Sequence, residues 1–188
     1  MLKYLPSAVS NSVFDINYKA LYGYGKKVII FDLDNTLLSY KETKPTNRMI
    51  DLSNELLSLG FKVYVLTNNH YSRLEGFLKE FKVTGYGIHM MKPSDKKIRE
   101  FLHKEGINMM CDVVMIGDQL VTDILCANRL GVYSILVKSI DRSSEHFYTR
   151  INRLREKKIV RKIAEKDLEF AKKIEKIVNK GDKPWLNA

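Results

Sequence analysis

The chain is poor in cysteine. Its 188 residues hold two, Cys111 and Cys126, both in hydrophobic contexts and without CxxC spacing. That excludes a disulfide framework and a zinc ribbon, and it fits a reducing, cytoplasmic setting. Long apolar runs are also missing: nothing reaches the stretch of about 18 residues that spans a bilayer. The N-terminal Met1-Leu2-Lys3-Tyr4-Leu5-Pro6 passes into polar residues without the apolar core of a secretory signal. Contact with a membrane is therefore expected to be peripheral, at its inner face. Internal repeats and low-complexity linkers are absent, and the length is that of one ordinary domain.

Positive charge is abundant. Thirty-two Lys and Arg against 22 Asp and Glu leave a formal charge of +10, on an otherwise ordinary balance of 45% hydrophobic and 29% charged residues. Much of the excess follows residue 140, where Arg150, Arg153, Arg155, Lys157, Lys158, Arg161 and Lys162 crowd together. Such a zone attracts phosphorylated small molecules, nucleic acid or anionic lipid headgroups, and charge does not choose among them.

Between residues 28 and 137, apolar runs alternate with helical patterns. Val28–Phe31, Phe61–Leu66, Val113–Ile116 and Val132–Val137 read as strands, with a weaker one at about Tyr86–Met90. Helices are expected from Thr46 to Gly60, over 71–82, after a Ser94 cap, and from about Thr122 to Gly131. This alternation predicts an α/β, three-layer, Rossmann-like parallel sheet of about five strands with helices on both faces. Residues 1–24 read as a leading segment with some helical pattern, packed on a core of residues 25–140. Residues 141–188 read as a basic helical extension of the same domain.

Ligands of an open parallel sheet bind beyond the carboxyl ends of its strands. Asp32 and Asp34 follow the first predicted strand two residues apart, so in extended geometry their carboxylates point the same way. A single such aspartate is commonly a turn former; two after a buried strand point to chemistry. The second strand ends Thr67-Asn68-Asn69-His70, a hydroxyl and backbone N–H groups at a helix start, which suit an anion. Lys92-Pro93 follows the third. The fourth ends Gly117-Asp118, with Asp123 five residues on, where a cation can be held.

The order hhhhDxDNT, hhhTNN, KP and hhhGDxxxxD resembles the four motifs of haloacid dehalogenase-like hydrolases and covers residues 28 to about 137. With the Pro6…Ser12-Val13…Asp15-Ile16 segment, DLDNTLL and GDQLVTD, the chain is similar to the YqeG subgroup of subclass IIIA, related to phosphatidylglycerophosphate phosphatases. The resemblance implies a phosphatase in which Asp32 is the nucleophile and Asp34 the general acid and base. It also implies Mg²⁺ held by Asp32, the backbone carbonyl of Asp34, and Asp118. Thr67 and Lys92 bind the phosphoryl group, Asn68, Asn69 and His70 meet the substrate, and Asp123 orients Lys92 or a metal-bound water. About twenty residues separate DLDNTLL from the second strand, and as many separate TNN from the third, too few for a cap domain. The site is therefore expected to be open to a bulky phosphorylated substrate such as a lipid headgroup. The alternatives are a phosphatase for a soluble metabolite or a nucleic-acid end, and a non-catalytic module binding RNA or a protein through its basic tail.

Overall fold

The computed structural model describes residues 2–143, 145, 147–179, 181 and 184–186. Strands β1 (Ala8–Ser10), β2 (Val28–Phe31), β3 (Lys62–Leu66), β4 (Gly85–Gly87), β5 (Val113–Gly117) and β6 (Tyr133–Val137) form one sheet in the order β1-β6-β5-β2-β3-β4, with every neighbouring pair parallel. After β2 the chain winds outward through β3 and β4, then returns to lay β5 and β6 on the other side. The order therefore reverses between β2 and β5, where an open sheet leaves its ligand crevice.

Two-residue alternation sends side chains to opposite faces. Ile29, Phe31, Val63 and Val65 pack with helices α1 (Tyr18–Gly23), α2 (Asn47–Ser58) and α3 (Tyr71–Leu78). On the opposite face, Val28, Ile30, Tyr64 and Met115 pack with α4 (Lys96–Lys104) and α5 (Leu125–Leu130). A third cluster joins Leu120, Ile124 and Leu136 to α6 (Phe147–Ala164) and α7 (Leu168–Val178). Among the described residues, no helix is long and apolar enough to cross a membrane.

Several expectations are revised. The leading segment adds a sixth strand: β1 pairs with β6, and Ser7 and Ser134 exchange hydrogen bonds at its edge (Ser7 N to Ser134 O 2.9 Å, Ser134 N to Ser7 Oγ 3.1 Å). Three residues are too few to show a period, so only pairing reveals the strand. Ser94 does not cap α4, which starts after Asp95; the Asp95 side chain pairs with Arg99 at 2.9 Å instead. β4 ends at Gly87 because the chain then turns along the loop after β3, with Met90 N on Thr67 O at 3.1 Å. The C-terminal helix divides at residues 165–167, where Asp167 caps α7 by accepting from Phe170 N at 2.9 Å. α5 is entered earlier than Thr122, through a π-helical turn at Leu120–Ile124.

Candidate active site

The register of β2 on β5 decides the centre of the site. Phe31 lies opposite Ile116, and Asp32 N donates to Ile116 O at 2.9 Å, so the chain leaves both strands at one level. Asp32 and Asp118 consequently meet, and with Asp123 they bring buried carboxylate oxygens within 4.8 Å of one another. Gly117 is needed here for space: a Cβ on it would stand 2.4 Å from Cβ and Cγ of Asp123. The π-helical turn then carries Asp123 back over β5, a backbone form frequent at functional sites.

Lys92 reaches this cluster from the far side. Its Nζ lies 2.5 Å from Asp32 Oδ1 and 2.8 Å from Asp123 Oδ1, all three side chains being buried. Burial pulls the lysine down, but Asp123 and Asp32 more than offset this, so it is raised and stays an ammonium. Asn68 positions it through the backbone, accepting from Lys92 N at 2.8 Å and donating to Lys92 O at 2.9 Å. Asp32 is pushed well above the usual carboxylate range by burial, with Asp123, Asp34 and Asp118 adding to the rise and Lys92 opposing it.

Asp34 also lines the cleft, but its carboxylate is held. It accepts from Asn69 Nδ2 at 2.7 Å, Thr67 Oγ1 at 3.3 Å and Arg73 Nε at 2.8 Å. Arg73 in turn donates to the carbonyls of Glu42 and Ser39, tying the loop after β2 to α3. The structure therefore brings together Asp32, Asp34, Thr67, Asn68, Asn69, Lys92, Asp118 and Asp123. It does not bring His70, which starts α3, is exposed, and packs edge-on against His89 with ring centroids 4.4 Å apart. Asn68 and Asn69 direct their amides at Lys92 and Asp34.

On the other side stands Arg153 of α6, unanticipated among the basic residues of the extension. It is buried, its guanidinium bonding the Asp118 carboxylate, Asp118 O at 2.7 Å, Ser139 Oγ at 2.7 Å, Glu145 Oε1 at 2.8 Å and Glu156 Oε1 at 3.2 Å. Glu156 also accepts from Leu120 N at 2.9 Å, closing the first turn of the π-helical segment. One signal in the sequence marks the pair: Arg153 and Glu156 continue, at helical spacing, the buried stripe of Val160 and Ile163.

The donor set fits a hard divalent cation. Asp118 Oδ2 is taken by Ser139 and Arg153, while Oδ1 is buried and accepts no hydrogen bond among the described residues. An orphaned carboxylate oxygen facing two further carboxylates is the oxygen-only environment Mg²⁺ takes. Above it opens a cleft of about 950 Å³. Among the described residues the cleft is walled by α6 and by Lys3 and Tyr4.

A carboxylate at the tip of a central strand, faced by a buried lysine and a strand-end hydroxyl in this topology, defines a haloacid dehalogenase-like phosphatase, and that is the class of this enzyme. More narrowly, the chain belongs to the family described as mitochondrial PGP phosphatase, whose model matches residues 2–140. It is 35% identical over 165 residues to the probable phosphatase YqeG of Bacillus subtilis (strain 168), covering 85% of this chain and 92% of that one. It is 26% identical over 152 residues to the chloroplastic phosphatidylglycerophosphate phosphatase 1 of Chlamydomonas reinhardtii, covering 76% of this chain and 56% of that protein. Among solved structures, an uncharacterized protein from Listeria monocytogenes serotype 4b aligns over 62% of this chain and 84% of its own, at 18% identity and a TM-score of 0.49.

Proposed function

We propose that the protein hydrolyses phosphatidylglycerophosphate to its phosphomonoester-free lipid and inorganic phosphate, through an aspartyl-phosphate on Asp32 and with Mg²⁺. The observation carrying this reading is the meeting of Asp32, Asp118 and Lys92 at the floor of a basic cleft.

Asp32 attacks phosphorus in line with the leaving group, forming one P–O bond as the ester P–O bond breaks. Asp34 donates a proton to the departing alkoxide. It then takes one from the water that attacks the phospho-aspartate, returning Asp32 and freeing phosphate. Lys92, Thr67 and loop N–H groups meet the charge spread over the other phosphoryl oxygens. Between turnovers Arg73, Asn69 and Thr67 hold the Asp34 carboxyl. Asp32, Asp118 and the Asp34 carbonyl would hold Mg²⁺, which would supply the positive charge that lets a carboxylate approach a phosphate dianion.

A lipid substrate is favoured by the outer face of α6. Phe147, Arg150, Leu154, Lys157 and Arg161 recur there at helical spacing, with Phe147 72% and Leu154 75% exposed. Bulky apolar groups among cations suit peripheral contact with an anionic bilayer surface. Phosphate release with Mg²⁺ from phosphatidylglycerophosphate in mixed micelles is expected to exceed that from glycerol 3-phosphate and from a 5′-phosphorylated oligonucleotide by at least about tenfold in kcat/KM. Preference for either soluble substrate would overturn the lipid assignment.

The raised Asp32 also dictates a pH dependence. Where its folded value lies above the unfolded one, the cation-free native state holds a proton that the unfolded chain has released. Stability of that form therefore falls as pH rises from the ordinary carboxylate range through the folded value. A divalent cation competes with that proton. Stabilisation by Mg²⁺, read as a shift in Tm, is expected to be larger at pH 8 than at pH 5; an equal or smaller shift at pH 8 would contradict the assignment of Asp32 as ligand.

A further inference from the structure

We infer that the cleft carries a second anion subsite, built by Arg155, Lys158 and Lys162 of α6 with Lys3, which takes the phosphodiester of a substrate presenting its phosphomonoester to Asp32. The inference deepens the proposed function and rests on that reading.

Charge in the cleft is divided between floor and wall. At the floor, Lys92 is paired with Asp32 and Asp123. On the wall, Arg155, Lys158 and Lys162 stand at i, i+3 and i+7 and line the same cavity, a stripe roughly 10 Å long on one helical face. Neither they nor Lys3 make an ion pair among the described residues. Their field is available to a ligand. Arg153 and Glu156 fix the wall relative to the floor, because they anchor the adjacent face of α6 to Asp118 and Leu120. A phosphate seated over Asp32 fills only a small part of about 950 Å³. The remaining space is bounded by these cations and by Val121, Leu125 and Ile159, which suits a second anionic group joined to the first by a short carbon skeleton.

The stripe differs from the outer face of α6 in direction. One lines the cleft and the other does not, so binding of a soluble headgroup separates them. An extended polynucleotide would instead need a groove tracking its backbone beyond the cleft.

The test is titration calorimetry with Mg²⁺ on the Asp32→Asn protein, in which nothing turns over. The probes are glycerophosphoglycerol phosphate, which has a diester and a monoester, and glycerol 3-phosphate, which has only the monoester. The intact wall is expected to favour the first by about 30-fold, and Arg155→Ala/Lys158→Ala/Lys162→Ala to bring that ratio close to one, since each lost contact to a charged group in a partly solvated site removes a few-fold. Lys157→Ala/Arg161→Ala, which removes charge from the outer face, is expected to leave the ratio in place. A ratio near one with the wall intact, or a ratio lowered equally by the outer-face variant, would overturn the subsite. So would tighter binding of a 5′-phosphorylated RNA oligonucleotide that the triple variant abolishes, which would assign the stripe to nucleic acid. Failure of the underlying reading shows separately, as wild-type protein that releases no phosphate from either probe while the binding ratio still decides the subsite.

Discussion

Asp32→Asn is expected to lower kcat by about 10³-fold or more on every phosphomonoester the enzyme accepts. The amide keeps the size of the side chain and can still accept from Thr36 Oγ1, which lies 3.3 Å from Asp32 Oδ2. What it loses is the nucleophile, and no neighbour replaces it. Asp118 is bound by Arg153 and Ser139, Asp123 by Lys92, and Asp34 by Arg73. Loss of fold is separable from loss of chemistry. Asp123 still pairs with Lys92 in the variant, so Tm without Mg²⁺ should stay close to that of the wild type. Turnover within tenfold of wild type, or a Tm lowered in step with activity, would refute Asp32 as nucleophile.

Arg153→Leu is expected to cost about 3–5 kcal/mol in denaturant unfolding, the range seen when one partner of a buried ion pair is removed. One guanidinium serves Asp118, Glu145 and Glu156, all buried. Burial pulls Arg153 down, yet these three carboxylates together raise it well above its ordinary value, so it remains charged. Leucine would leave Glu145 and Glu156 with Arg142, 4.0 Å from each, and Asp118 without its guanidinium partner. Activity should fall with stability, because Asp118 loses the guanidinium that holds its Oδ2 and keeps only the bond from Ser139. Arg153→Lys should recover only part of either, since a point charge cannot serve several acceptors as a planar fork does. A change below about 1 kcal/mol for Arg153→Leu would show that the network contributes little net stability.

These two residues divide along what could be read from the chain. Asp32 announces itself, because a β-branched run ending in two carboxylates of equal parity is a local pattern. Asp118, Thr67 and Lys92 also lie at strand or loop ends that periodicity locates. Arg153 is hidden among the cations of residues 150–162, where only a buried helical stripe distinguishes it. Arg73 resembles any surface arginine on α3 until Asp34, 39 positions earlier, is brought beside it. The edge strand Ala8–Ser10 is invisible for the same reason: its evidence is a partner, β6, more than a hundred residues away.

By itself, the order of residues determined the alternating architecture, the parallel sheet and the strand tips that bear chemistry, since these follow from side-chain periods of 2 and 3.6 along a contiguous stretch. Tertiary structure alone decided which carboxylate keeps a free oxygen, which cation pairs with which acid, and that the basic extension forms one wall of the cleft. Charge and hydrogen-bond geometry act through space at about 3 Å. Pairing at that range between distant parts of the chain leaves no period to read.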